Sequence, residues 1–202
     1  MYTFYRKIGI IALIMTVLIG FCMVSGCTGD SGSETPATPA ATTVPPTQTS
    51  AGGPSAASAV HYTELYRFFP TPTSNWIAGD PTGFTMSDAE GEWSFAQRQY
   101  THKTNSEIVL DIVIQDTAGM NVGYFQAWDS YVEMDTPEMS WKQTTVRGYP
   151  AWEFYDKMEN SYTQIIAVND RFIVWIYLEN GQQSYLTVFN TGMDFDGLAA
   201  LA

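Results

Sequence analysis

The stretch Ser161-Tyr162-Thr163-Gln164-Ile165-Ile166-Ala167-Val168-Asn169-Asp170-Arg171-Phe172-Ile173-Val174-Trp175-Ile176-Tyr177-Leu178 decides the fold. Asn169-Asp170 at its centre suits a two-residue hairpin turn, because both residue types tolerate positive φ. Beyond the turn, Phe172, Val174, Ile176 and Leu178 alternate with Ile173, Trp175 and Tyr177. A strand apolar on both faces reads as central in its sheet, with cover on each side. Truncating Trp175 or Ile176 to Ala is therefore expected to be costly. Thr163 and Gln164, near the more polar start of the partner strand, are expected to tolerate Ala.

Working outward, the pattern predicts strands over 140–147 and 151–158 around Gly148-Tyr149-Pro150. Two more, over 83–87 and 92–100, are joined by a turn at Glu90-Gly91. Residues 107–116 form another, with Ile108, Leu110, Ile112 and Ile114 on one side and Val109, Asp111, Val113 and Gln115 on the other. Tyr62, Leu65, Tyr66 and Phe69 share one helical face, as do Tyr124, Ala127, Trp128 and Tyr131 before Pro137. Pro70, Pro72 and Pro81 enforce a loop around Trp76. A helix over 184–190 and a terminal turn capped by Asp194, burying Phe195 and Leu198, complete the chain. The expected fold class is α+β, an antiparallel sheet of about six strands covered by helices.

Four phrases in this order of elements resemble the PsbP-like α/β/α sandwich of exported and lipid-anchored prokaryotic proteins. They are Trp93-Ser94-Phe95-Ala96-Gln97-Arg98-Gln99-Tyr100, Val146-Arg147-Gly148-Tyr149-Pro150-Ala151, Val168-Asn169-Asp170-Arg171-Phe172 and Asp194-Phe195-Asp196-Gly197-Leu198-Ala199. What the resemblance implies is a fold; it carries over no functional residue.

Three compositional regions divide the chain. Residues 1–27 read as a lipoprotein signal peptide: Arg6 and Lys7, an uncharged apolar run, then Val24-Ser25-Gly26-Cys27. The last four resemble the prokaryotic lipobox, so Cys27 is the expected lipidation site and the lipid the expected link to the membrane. The rival is an uncleaved anchor, which the length of the apolar run permits. Both put the bulk of the chain outside the cytoplasm, at the cell membrane. One acyl chain gains only about 0.8 kcal/mol per buried methylene, so firm anchoring calls for two. Residues 28–60, rich in Ser, Thr, Pro and Ala, cannot bury enough apolar area to fold and act as a spacer. The same mixture fits an O-glycosylated stalk. Residues 61–202 form the globular domain. Cys22 and Cys27 are the only cysteines, so this domain holds together without a disulfide.

Nineteen acidic residues face seven Lys and Arg between Glu64 and Asp196. That balance excludes nucleic acid, whose phosphates need a basic surface. No nucleophile elbow, phosphate-cradling glycine loop or cysteine–histidine zinc pattern occurs. His61 and His102 have no sequence-local partners. Asp111 with Asp116, and Glu133 with Asp135 and Glu138, are the carboxylate groupings a hydrolase would need to bring together. No cofactor is expected. Six tryptophans lie in the domain; Trp76 and Tyr149, placed in loops, are the two aromatic candidates for ligand contact. The reading is a membrane-anchored, surface-exposed lipoprotein whose domain is a noncatalytic binding or accessory module for an envelope protein or small ligand. The alternatives are a carboxylate-dependent envelope hydrolase and a purely structural envelope component.

Overall fold

The computed structural model describes residues 58–87, 91–118 and 128–202. The leader, Cys27 and the spacer up to residue 57 lie outside the described residues. So do 119–127, on which most of the second expected helix falls.

Among the described residues nine strands make one antiparallel sheet. They are β1 (Trp76–Ala78), β2 (Thr82–Ser87), β3 (Glu92–His102), β4 (Val109–Asp116), β5 (Met134–Asp135), β6 (Met139–Val146), β7 (Tyr149–Asp156), β8 (Ser161–Val168) and β9 (Phe172–Glu179). The spatial order is β1-β3-β4-β9-β8-β7-β6-β5, with β2 beside β3. β1 and β2 divide the outer edge of β3 between them. Asn169 and Asp170 take φ 49° and 51° in the β8–β9 turn, with Arg171 as its third loop residue. β9 is central, between β4 and β8. Pro150 lies inside β7 opposite Thr145 rather than in the turn. Pairing with β8 stops at Ala151, as expected next to a residue with no N–H to offer.

One face of this sheet is covered. Leu110, Ile112 and Ile114 of β4 stand opposite Leu178, Ile176 and Val174 of β9, and all six are fully buried. Over them lie α1 (Tyr62–Leu65), which runs into a 3₁₀ turn at Tyr66–Phe68, α2 (Ser184–Gly192) and α3 (Phe195–Ala199). Gly83 lets α1 approach. A Cβ there would strike the Phe95 carbonyl oxygen and come within 2.9 Å of Tyr62 Cδ2. Phe189 of α2 packs edge-on against Trp76 and Tyr100 at 5.0 and 4.8 Å. Asp194 caps α3 as expected, accepting from Gly197 N at 2.9 Å, and Phe195 and Leu198 are buried beneath it.

The expected six-stranded α+β sandwich is corrected. The domain is mainly an antiparallel β-sheet of nine strands, with short helices packed on one face among the described residues. A nine-residue helix such as α2 spans about 13 Å. The sheet extends on the order of 35 Å across its strands. Helices this short cannot cover it on both sides. Of the second expected helix, the described part, Trp128–Ser130, is a single 3₁₀ turn.

At one corner the two ends of the domain meet. Asp116, fully buried, takes Arg171 Nε on Oδ1 at 3.0 Å and an Arg171 terminal nitrogen on Oδ2 at 2.9 Å. Val60 N donates to the same carboxylate at 2.7 Å and Ala118 N at 2.9 Å. Arg171 also donates to Ser58 O at 3.1 Å and to Leu201 O at 2.8 Å. The entering chain, two central strands and the C-terminal turn are therefore tied to one ion pair.

Tyr100, Tyr162 and Tyr177 are each pushed up to about 12, burial being the main cause in each. An unfolded tyrosine loses its proton near 10, before the folded one does. Their contribution is therefore fully present below about pH 10 and is lost as pH rises toward 12. Alkaline denaturation curves should show that decline. Tyr100→Phe, which removes the phenol that donates to Pro70 O at 2.8 Å, should make it shallower. An unchanged slope in the variant would count against burial as the cause.

Candidate functional site

Strand parity builds the second face. Side chains opposite to the buried Leu110–Ile112–Ile114 row form two lines across the sheet. The first runs Gln99, Asp111, Tyr177, Thr163, Phe154, Trp141, Met134, each paired in register with the next. The second runs Gln97, Val113, Trp175, Ile165, Trp152, Gln143. Tyr177, Thr163, Phe154, Trp141, Trp175 and Ile165 are half-buried, and no helix longer than the Trp128–Ser130 turn covers them among the described residues. Among the described residues this is the open face.

Its floor is aromatic. Trp128, Trp152 and Ala167 form a small buried cluster, with Trp141 and Ile165 packed on it. Trp141 stacks on Trp152 at 5.5 Å and 23°. Tyr131 stands edge-on to both, at 5.9 and 5.6 Å. Tyr131, Val132 and Met134 at this end are exposed. The indole nitrogens of Trp128 and Trp152 are buried and have no hydrogen-bond partner among the described residues.

Polar groups are set among the rings. Gln99 Nε2 donates to both Asp111 oxygens at 3.1 and 3.3 Å, and Gln97 Nε2 reaches Oδ1 at 3.5 Å. The Tyr177 hydroxyl donates to Glu179 Oε1 at 3.2 Å. After burial, the Glu179 carboxylate is the next cause that raises this phenol. Among the described strand positions of this face no Lys, Arg or His occurs, while Asp111, Asp156 and Glu179 do.

The carboxylates expected to converge for hydrolysis do not. Asp111 lies on the open face and Asp116 on the helix face, bound to Arg171. Glu133 accepts from Gln143 N at 2.9 Å, closing part of the β6 edge that short β5 leaves bare. Asp135 pairs with Lys157 at 2.6 Å, and Glu138 is exposed. A shallow depression runs along that edge past Thr145 to Gly148. No group of three or more His, Cys, Asp or Glu able to hold a metal stands together among the described residues. His61 caps α1 through Nδ1, and the His102 ring sits against Trp76 and Tyr185.

On the helix face a polar chain crosses the core. Glu153, buried, accepts from Gln183 at 2.7 Å and Gln164 at 2.8 Å, and pairs with Lys142 at 3.0 Å. Gln164 in turn accepts from Asn190 Nδ2 of α2 at 2.9 Å. This chain fixes α2 over β8 and β7.

Of the residues singled out in the sequence, Trp76 lies in β1 rather than a loop. It is 3 % exposed and surrounded by His102, Tyr185 and Phe189. Tyr149 begins β7, half-buried, its hydroxyl donating to Asp196 Oδ1 at 3.0 Å and its ring beside Phe195. Cys27 lies outside the described residues. The sequence reading did not single out Trp141, Trp152, Phe154, Tyr177, Gln99 or Asp111 as a surface. Their signal was parity: Gln, Thr and Asp alternate into the same face as the rings, as in a sheet with one face toward water.

No family model, curated protein or solved structure matches this chain. The PsbP-like resemblance thus rests on the four phrases alone.

Proposed function

We propose that this chain is a lipid-anchored binding protein with no catalytic role of its own. Cys27 holds it to the outer side of the membrane, residues 28–60 lift it off, and the open face of the sheet receives an envelope partner or ligand. One observation supports the reading: a half-buried surface of Trp, Tyr and Phe, interspersed with Gln, Thr and Asp, on the side of the sheet that carries no long helix among the described residues. Partly accessible rings set among polar groups suit a surface that is apolar in part and wet in part.

The test places a bulky charge on that face. Full-length protein carrying Thr163→Arg, at the centre of the first line, is compared with Val188→Arg on the solvent side of α2, where Val188 is 42 % exposed. Envelope material retained by the wild type should be lost with Thr163→Arg and kept with Val188→Arg. Equal retention by both variants would remove the open face from the function.

Anchoring has its own test. Cys27→Ser should release the protein from membranes or leave an unprocessed precursor. Unchanged mass and membrane retention would refute lipidation. Among the described residues no helix is long and apolar enough to cross a membrane.

A further inference from the structure

We propose that Tyr155 and Tyr162 form an oxidative cross-linking site, at which one-electron oxidation joins the two rings as an intramolecular dityrosine. The pair lies on the helix face beside the turn between β7 and β8, apart from the open face and independent of what that face binds.

Three observations carry the inference. Tyr155 stands directly opposite Tyr162 in the ladder, which sets their Cβ atoms about 5 Å apart. The rings are stacked with centroids at 4.2 Å and planes 7° apart, closer than the about 4.5–7 Å of ordinary ring pairs. The hydroxyls lie together at one end of the stack. After burial, the Tyr155 hydroxyl is the next cause that pushes the Tyr162 phenol up to about 12, and Tyr155 itself donates to Asn160 Oδ1 at 3.5 Å. Dityrosine forms between the ring carbons next to the hydroxyls, and a parallel stack of this sense brings those carbons close.

Other tyrosines lack this arrangement. Tyr62 and Tyr66 touch edge-on, at 5.8 Å and 69°. Tyr100 is fully buried against Phe189, and Tyr177 points to the opposite face of the sheet. Tyr155 and Tyr162 are half-buried, within reach of an oxidant at the surface yet held in place for their radicals to meet. Residues 61–202 contain no cysteine, so an aryl bond would staple this hairpin where a disulfide is not available.

The reaction balances with a peroxide as the oxidant. A haem peroxidase takes one electron and one proton from each phenol and reduces one hydrogen peroxide to two waters. The two tyrosyl radicals form a single carbon–carbon bond. The hydrogens on the joined carbons then move to the oxygens, which restores both phenols.

The experiment treats dilute full-length protein in detergent with a haem peroxidase and hydrogen peroxide. The monomer should lose the mass of two hydrogens and gain the blue emission of dityrosine, and a digest should contain a linked peptide pair carrying 155 and 162. Tyr155→Phe and Tyr162→Phe keep both rings and remove one phenol each, so each should abolish the emission. Tyr66→Phe should leave it unchanged. In urea that unfolds the domain, the yield of the 155–162 link should fall about fivefold or more, because the stack and not nearness in the chain brings the rings together. A monomer link that survives Tyr162→Phe, coupling only between molecules, an equal yield in urea, or no dityrosine under conditions that couple free tyrosine would each overturn the inference.

Discussion

Asp116→Ala should destabilise the domain by about 3–5 kcal/mol, the cost of breaking a buried ion pair from one side. The carboxylate is fully buried and meets four donors: two nitrogens of Arg171, Val60 N and Ala118 N. Removing it strands a mostly buried guanidinium and two backbone N–H groups at once. Against a typical total of about 5–15 kcal/mol, that is a large share. Arg171→Lys should fall between wild type and Asp116→Ala, because an ammonium cannot make the paired contact or reach Ser58 O and Leu201 O together. Urea melts of the three proteins give the comparison. A loss under about 1 kcal/mol for Asp116→Ala would show that the corner is not where the fold is tied.

Ile176→Ala should cost about 2–5 kcal/mol, since the side chain is fully buried between β4 and β8 under α2 and leaves a cavity. Trp175, one residue earlier, is half-buried on the open face. Its truncation should cost less in stability and register instead in binding. Gln164 is a correction to the sequence reading. It is 5 % exposed and links Glu153 to Asn190. Gln164→Ala should therefore cost about 1–3 kcal/mol by leaving buried polar groups unpaired, while Thr163→Ala stays mild. If denaturant midpoints put Ile176→Ala level with Thr163→Ala, the central position of β9 would be wrong.

The two-residue loop expected at Asn169-Asp170 is corrected, since Val168 pairs with Phe172 and Arg171 is a third loop residue. The β8–β9 hairpin and the central place of β9 were legible because two eight-residue strand runs, the second apolar on both faces, flank that dipeptide. The same was true of β4, whose even-numbered positions are all buried. β1 and β5, with three and two residues, are too short for any periodicity to register. The second face was misread for a physical reason. Ile173, Trp175 and Tyr177 are apolar by composition, and hydropathy alone does not separate a residue packed under a helix from a ring packed beside its neighbours on an open sheet. The candidate site was hidden for the same reason. It draws single residues from seven strands, and no local motif can announce a surface assembled by register. Trp76 looked available because prolines flank it. Its burial depends on α2, more than a hundred residues later.

The corner formed by Asp116 and Arg171 has a mechanical consequence. Asp116 ends β4 and Arg171 leads into β9, the two strands that carry Asp111, Trp175 and Tyr177. Ser58 and Val60, at the start of the described domain, are bonded to that same pair. If the chain is anchored and loaded as proposed, tension would run lengthwise along β4 and β9, shearing many ladder bonds together instead of peeling them one at a time. Such a corner would spread a pull on the chain entry over two central strands at once.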